Sequence, residues 1–222
     1  MDKSDPAYKG QADYTPLLLR LYDPIVLGVV AGLVWRVPPE PLLDNYRRNI
    51  REPHLDVGPG TGYCIERSGL PDGSRVTILD PNTNVLRHAT SKLGRFDVTA
   101  VEADVLKPLP VAERFESAGM NMVIHCLPGP MSRKALAIRN IADVLSPTGT
   151  LFGATILGRS GDHSWLGQRV LTAFNWHGGF DNLDDSEAGL REILEASFDK
   201  VDVTVVKSAA IFSATGPKPP TD

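Results

Sequence analysis

Cysteine is nearly absent: only Cys64 and Cys126 occur in 222 residues. Neither has a neighbour at a metal-ligand spacing, so no metal site is expected, and two isolated thiols suit a reducing cytoplasm better than a disulfide scaffold. An excess of basic charge is missing too. The formal net charge is −4, which provides no electrostatic footprint for nucleic acid or an anionic membrane. Long hydrophobic runs are lacking as well. The most apolar stretch, "IVLGVVAGLVW" from Ile25 to Trp35, falls short of the roughly 20 residues that a membrane-spanning helix requires. It does not read as a secretion signal, because acids (Asp2, Asp5, Asp13, Asp23) precede it and no small-residue cleavage pattern follows. It reads as a helix buried against the domain or capping a pocket. What the chain does have is an ordinary core composition, 42% hydrophobic and 23% charged. Its length suits one domain with a small appendage.

The pattern along the chain alternates. Helical periodicity runs from Thr15 to about Arg36, bent near Pro24, and again over residues 39 to 50. Then short apolar runs alternate with helical segments. Strands are expected at 54–57, 75–80, 96–104, within 115–125 and at 149–157. Helices are expected to open at Thr61, to run from Asn82 to Leu93 with Gly94 as the stop, and to run from Ser132 to Leu145. Such alternation implies parallel β-α-β units. The end of the chain breaks the rhythm. "DKVDVTVV" (199–206) and "AAIFSATG" (209–216) are separated only by Lys207 and Ser208, so they must pair antiparallel as a hairpin.

The glycine stretch "HLDVGPGTGY" (54–63) falls at the first strand-to-helix turn. Glycines there let the backbone turn without Cβ strain and let a ligand touch main-chain N–H groups. Pyrophosphate loops read G-x-G-x-x-G; here Gly58, Gly60 and Gly62 give G-x-G-x-G behind Asp56. A carboxylate at that approach repels pyrophosphate and suits an ammonium group. Asp80 ends the second strand and can accept from ribose hydroxyls. Asp104 ends the third and can accept from an exocyclic amine. Acids at three adjacent strand ends fit a cationic, nucleoside-like ligand without phosphate, and S-adenosylmethionine has those properties. The plainer alternatives are a tight turn for the glycines, a solvated strand end or helix cap for Asp80, and a turn cap for Asp104.

The segments "LDVGPGTGY", "ILDPN", "EADV", "FESAGMNMVIHCLPG" and "LSPTGTLFGATIL", followed by the hairpin, resemble in this order a class I S-adenosylmethionine-dependent methyltransferase of small-molecule type. The likeness runs from about residue 53 to the end. It implies a Rossmann-like α/β fold with seven strands in the order 3-2-1-4-5-7-6, the last antiparallel, and helices on both faces. It also implies an N-terminal helical lid over residues 1–52 ahead of a cofactor-binding domain at 53–222. Carried over residue by residue, Asp56, Gly58 and Gly60 hold the amino-acid part of the cofactor. Asp80 takes the ribose, with Pro81 and Asn82 beside the adenine. Asp104 and Val105 read the adenine edge, and Met120 and Asn121 lie near the methionine moiety. An N/D-P-P-Y/F motif after strand four, frequent in enzymes that methylate amide or base nitrogens, is replaced here by "HCLPG".

His125, just past strand four, is the candidate catalytic residue, as general base or substrate orienter; a packed histidine is the alternative. Tyr14, Tyr22, His163, Asn175 and His177 are candidate substrate contacts, the last two from a lip at 175–182 that could also be a solvated loop. The expected reaction is in-line methyl transfer to a small-molecule hydroxyl or other heteroatom, as in natural-product tailoring. The expected partner is a small-molecule methyl acceptor, without nucleic acid or membrane, in a cytoplasmic protein for which a homodimer stays open. Two rivals accompany this reading. An NAD-dependent oxidoreductase would explain the glycines and Asp80 but not Asp104 or the hairpin. A methyltransferase-fold protein could also bind the cofactor without transferring methyl.

Overall fold

The computed structural model describes residues 33–219. Its centre is a seven-stranded sheet in the order β3-β2-β1-β4-β5-β7-β6, as the resemblance implied. The strands are β1 (His54–Val57), β2 (Arg75–Asp80), β3 (Asp97–Glu102), β4 (Phe115–Asn121), β5 (Leu145–Ile156), β6 (Phe198–Val206) and β7 (Ala209–Pro217). β1 to β5 pair in parallel. β7 pairs antiparallel with both β5 and β6. The hairpin turns at Lys207, whose φ of 55° lies in the left-handed region, where the expected two-residue connection falls.

Around the sheet lie α1 (Pro39–Asn49), α2 (Tyr63–Glu66), α3 (Thr83–Lys92), α4 (Met131–Ala142), α5 (Trp165–His177) and α6 (Glu187–Ser197). A one-turn 3-10 helix, Ile124–Cys126, follows β4. Every residue of β1 is buried, because helices cover both faces of the sheet. On one face Leu55 and Val57 join Phe115, Met120, Ile138, Ile141, Leu190 and Phe212. On the other, Tyr46, Ile65, Ile78, Leu86, Leu93 and Phe152 pack together. Fully burying a Leu, Ile or Phe side chain stabilises by about 1.5–3 kcal/mol, so these two layers carry most of the fold.

Local details add to the expectations or depart from them. Helix α1 packs into the core beside β5 and β7. Leu42, Leu43 and Tyr46 are buried, and the Asn45 amide donates to the carbonyls of Gly153 in β5 and Phe212 in β7. Residues 1–32 of the expected lid lie outside the described residues. The helix opening at Thr61 is a single turn, and the chain after β5, to which no helix was assigned, forms α5 and α6. Strand β5 starts at Leu145, not Gly149, since Phe115 of β4 pairs with Leu145 across an irregularity. Among the described residues no helix is long and apolar enough to cross a membrane.

Candidate cofactor and acceptor site

In an open parallel sheet, ligands bind at the carboxyl ends of the strands, where the order reverses. Here β1 lies between β2 and β4, so the loop after β1 occupies that crevice. Gly58, Gly60 and Gly62 all adopt left-handed φ, at 66°, 56° and 78°. Gly58 is fixed by its N–H, which donates to the Leu79 carbonyl at 2.8 Å. A Cβ there would lie 2.5 Å from Val123 Cγ2. Gly60 differs: a Cβ there would meet nothing within 4 Å. The loop therefore has a packed first glycine and an open crest at the second.

The acids flank this crest. Asp80 Oδ1 accepts the Asn82 N–H at 2.7 Å, and burial raises its carboxyl to about 7, against that one hydrogen bond. A desolvated carboxyl with a single described donor has acceptor capacity to spare for a pair of hydroxyls. Asn82 is the N-cap of α3, taking the Asn84 N–H, so the capping role weighed for Asp80 falls to its neighbour. Asp104 Oδ1 accepts the Leu106 N–H at 3.0 Å, and the side chain stays partly exposed. Val105 is buried, with its carbonyl bonded by Asn140. Pro81 is half-buried. Asn121 is half-buried and donates towards Cys64 Sγ at 3.7 Å.

Two cofactor candidates sit deeper than expected. Met120 is 0% exposed inside the core, so only its main chain can border the crevice. Asp56 is 1% exposed, and its Oδ2 is engaged by the Tyr46 hydroxyl at 2.9 Å and His54 Nε2 at 3.3 Å. Burial raises its carboxyl, while His54 and Tyr46 pull it back down.

His125 is held in one tautomer. The Ile156 N–H donates to its Nδ1 at 3.2 Å, so that nitrogen holds no proton and the neutral ring carries its hydrogen on Nε2. Burial, reinforced by the Lys134 ammonium, lowers its pKa to about 3. A base near neutral pH needs a free lone pair and a matching pKa, and His125 has neither. What remains for it is orientation, as an N–H donor.

His163 has the complementary arrangement. Its Nε2 lies 2.7 Å from the Gly158 carbonyl and 3.1 Å from that of Leu157, so Nε2 carries the hydrogen. Nδ1 is then a lone pair, buried and without a partner among the described residues. The Asn175 amide bonds Leu171 and Asn182 while its carbonyl takes the Asn182 N–H. It staples α5 to the following loop and keeps one acceptor lone pair on its carbonyl oxygen. His177 is exposed at the last turn of α5, its ring 4.6 Å from Trp176. Tyr14 and Tyr22 lie outside the described residues.

Residues not singled out from sequence complete the wall. Phe180 packs 4.3 Å from His125, 4.8 Å from Phe174 and 5.9 Å from Trp35, which also meets His163 at 5.9 Å. Lys134 is 0% exposed and donates to Asp185 Oδ2 at 2.6 Å and the Asp181 carbonyl at 2.7 Å. Asp181 in turn donates its N–H to the His125 carbonyl and accepts the Gly129 N–H. That network anchors the loop carrying Phe180 to the segment after β4. Lys134 could have been noticed, because it shares a helical stripe with Ala137, Ile138 and Ile141.

A mostly parallel sheet with an open glycine crest after β1 and a desolvated acid after β2 is the arrangement expected of a protein that binds a nucleoside cofactor. Comparison with known proteins agrees. Residues 55–153 match the family model described as a methyltransferase domain. The chain is 36% identical to the physcion biosynthesis cluster O-methyltransferase of Aspergillus chevalieri, over 98% of this chain and all of that one. It is 36% identical to the N-methyltransferase vrtF of Penicillium aethiopicum, over 81% and 76%. Among solved structures, the DhpI–SAH complex superposes with a TM-score of 0.68 at 19% identity, covering 96% and 97%. The chain belongs to the class I S-adenosylmethionine-dependent methyltransferases. It is an enzyme of the small-molecule branch with S-adenosylmethionine as its cofactor. The comparisons lend no support to the oxidoreductase or to a protein that binds the cofactor idly.

Proposed function

We propose that the acceptor is a hydroxyl on an aromatic small molecule of natural-product biosynthesis, methylated in the cytoplasm. The observation that carries this is the aromatic wall of Trp35, Phe174 and Phe180 around His125 and His163, past the ends of β4 and β5. Flat apolar rings of this kind favour stacking of an aromatic acceptor. The name of the O-methyltransferase relative points the same way.

In this reading Asp80 holds the ribose, with Pro81, Asn82, Asp104 and Val105 around the adenine. Asp56, Gly58, Gly60 and Asn121, with the main chain of Met120, hold the amino-acid end. When bound, the cofactor supplies a methyl group on a sulfonium, already an excellent leaving group. The protein's own residues then align the acceptor and exclude water. His125 donates from Nε2 to orient the acceptor. His163 Nδ1, its tautomer fixed by the two carbonyls, takes the hydroxyl proton. Tyr14 and Tyr22, ahead of α1, supply further acceptor contacts.

The test is methyl transfer from S-adenosylmethionine to matched panels of phenols and aryl amines. Phenols should yield O-methyl products with one demethylated cofactor each. His163→Gln should cost about 10²–10⁴ in rate, and less for more acidic phenols, which need less help. The second reading, a nitrogen acceptor, has its support in the N-methyltransferase relative. Transfer to the amines with none to the phenols would establish it and overturn the first.

A further inference from the structure

Asp56 does not stand alone. A buried polar chain leads from β4 through β1 to α1. The Ser117 hydroxyl donates to the Arg51 carbonyl at 2.6 Å and so has no second hydrogen to give. Its Oγ lies 2.8 Å from His54 Nδ1, so the hydrogen of that contact belongs to Nδ1. With Nδ1 protonated, the 3.3 Å contact between His54 Nε2 and Asp56 Oδ2 would set two lone pairs against each other unless a proton lies between them. A single proton held between them, on the imidazole or on the carboxyl, makes the contact a hydrogen bond. The Tyr46 hydroxyl donates to the same Oδ2 at 2.9 Å, and its own ionisation is pushed well above the usual range by burial, with Asp56 adding to the effect.

Both hydrogens thus converge on Oδ2, and neither falls on Oδ1. The cluster is also sterically enclosed. Phe152 of β5 stacks on the His54 ring at 5.8 Å and meets Tyr46 edge-on at 4.9 Å. At Gly119 of β4 a Cβ would lie 2.7 Å from Asp56 Oδ2 and 3.0 Å from the Tyr46 hydroxyl, so glycine there leaves the cluster its space. A carboxylate with one oxygen pinned from two sides has lost its rotational freedom, and its free edge is preorganised.

We propose that Tyr46 and His54 are positioning residues for the amino-acid half of the cofactor, locking Asp56 through Oδ2 so that Oδ1 meets the ammonium group. This rests on the reading of Asp56 as the ammonium's partner. It assigns to α1 a part in cofactor recognition, transmitted through a single hydroxyl.

The experiment compares two ligands that share a nucleoside. S-Adenosylhomocysteine carries the amino acid, whereas methylthioadenosine lacks it. Dissociation constants are measured by calorimetry for the parent protein, Tyr46→Phe, His54→Gln and Asp56→Asn. Tyr46→Phe retains the ring that packs on Phe152, which keeps the fold available should His54→Gln fail to fold. The expected result is a weakening of S-adenosylhomocysteine by about tenfold or more in Tyr46→Phe and His54→Gln, the scale of a lost hydrogen bond to a charged group. Methylthioadenosine should stay within about threefold of the parent, below half of that tenfold step in free energy. Equal weakening of both ligands would mean general loosening of the fold and overturn the inference. So would an unchanged affinity in both variants where Asp56→Asn is weakened. An Asp56→Asn protein that binds S-adenosylhomocysteine like the parent would overturn the underlying reading of Asp56, and the inference with it.

Discussion

At the scale of the residue, His125 shows how a backbone hydrogen bond decides a side chain's chemistry. Its position past strand four was legible in the sequence; its tautomer was not, because the Ile156 N–H that fixes it comes from β5, 31 residues away. The ring's pKa falls from 6.5 to about 3 on folding. Between those values the unfolded chain binds more protons, so this histidine's contribution to stability is complete above pH 6.5 and is lost as pH falls towards 3, at about 1.4 kcal/mol per unit. Asp80 has the opposite sign: raised to about 7 from 3.8, it favours the folded state increasingly as pH drops from 7 to 3.8. The two slopes oppose each other in the parent, so the informative quantity is a difference. Urea unfolding at pH 7 and pH 5 should show the stability gap between parent and His125→Gln narrowing by about 2 kcal/mol at the lower pH. A gap that stays constant would mean that His125 is not held neutral.

At the scale of the element, the glycine loop divides into parts that the sequence could not tell apart. Three glycines on alternate positions look equivalent, yet Gly58 packs against Val123 and Gly60 faces open space. Gly58→Ala should destabilise the fold by about 2–4 kcal/mol, from its left-handed φ and the overpacking together. Gly60→Ala should cost only about 1–2 kcal/mol but weaken S-adenosylhomocysteine by roughly tenfold or more, since its new methyl group would fill the crest. Thermal melts with parallel calorimetry separate the two, and undiminished binding by Gly60→Ala would remove the cofactor from the crest. Helices α5 and α6 went unread although their signals are present. Ser164 and Ser186 cap them, and Gly178 ends α5 at φ 79°. The aromatic and glycine-rich run around residue 177 reads as loop locally, and only burial of Leu171 and the Asn175–Asn182 staple make its first part a helix end.

For the whole molecule, alternation of strand and helix and the two-residue hairpin connection were enough to imply parallel pairing followed by an antiparallel end, because short-range geometry permits nothing else. Strand order came from the resemblance, since the lateral position of a strand depends on which helix covers which face, a long-range matter. The acids after β2 and β3 were legible as strand-end residues. The polar chain from Ser117 through His54 and Asp56 to Tyr46 was not, as it joins three segments, with Ser117 63 residues from His54. The proposed site puts the cofactor on the loop after β1 with Asp80 beside it. The most direct measurement is a backbone amide NMR titration with S-adenosylhomocysteine. The amides of Gly58, Gly60, Asn82 and Leu106 should shift together and saturate at one ligand per chain, with those of β6 unmoved. Saturable binding that leaves the Gly60 and Asn82 amides in place would contradict it.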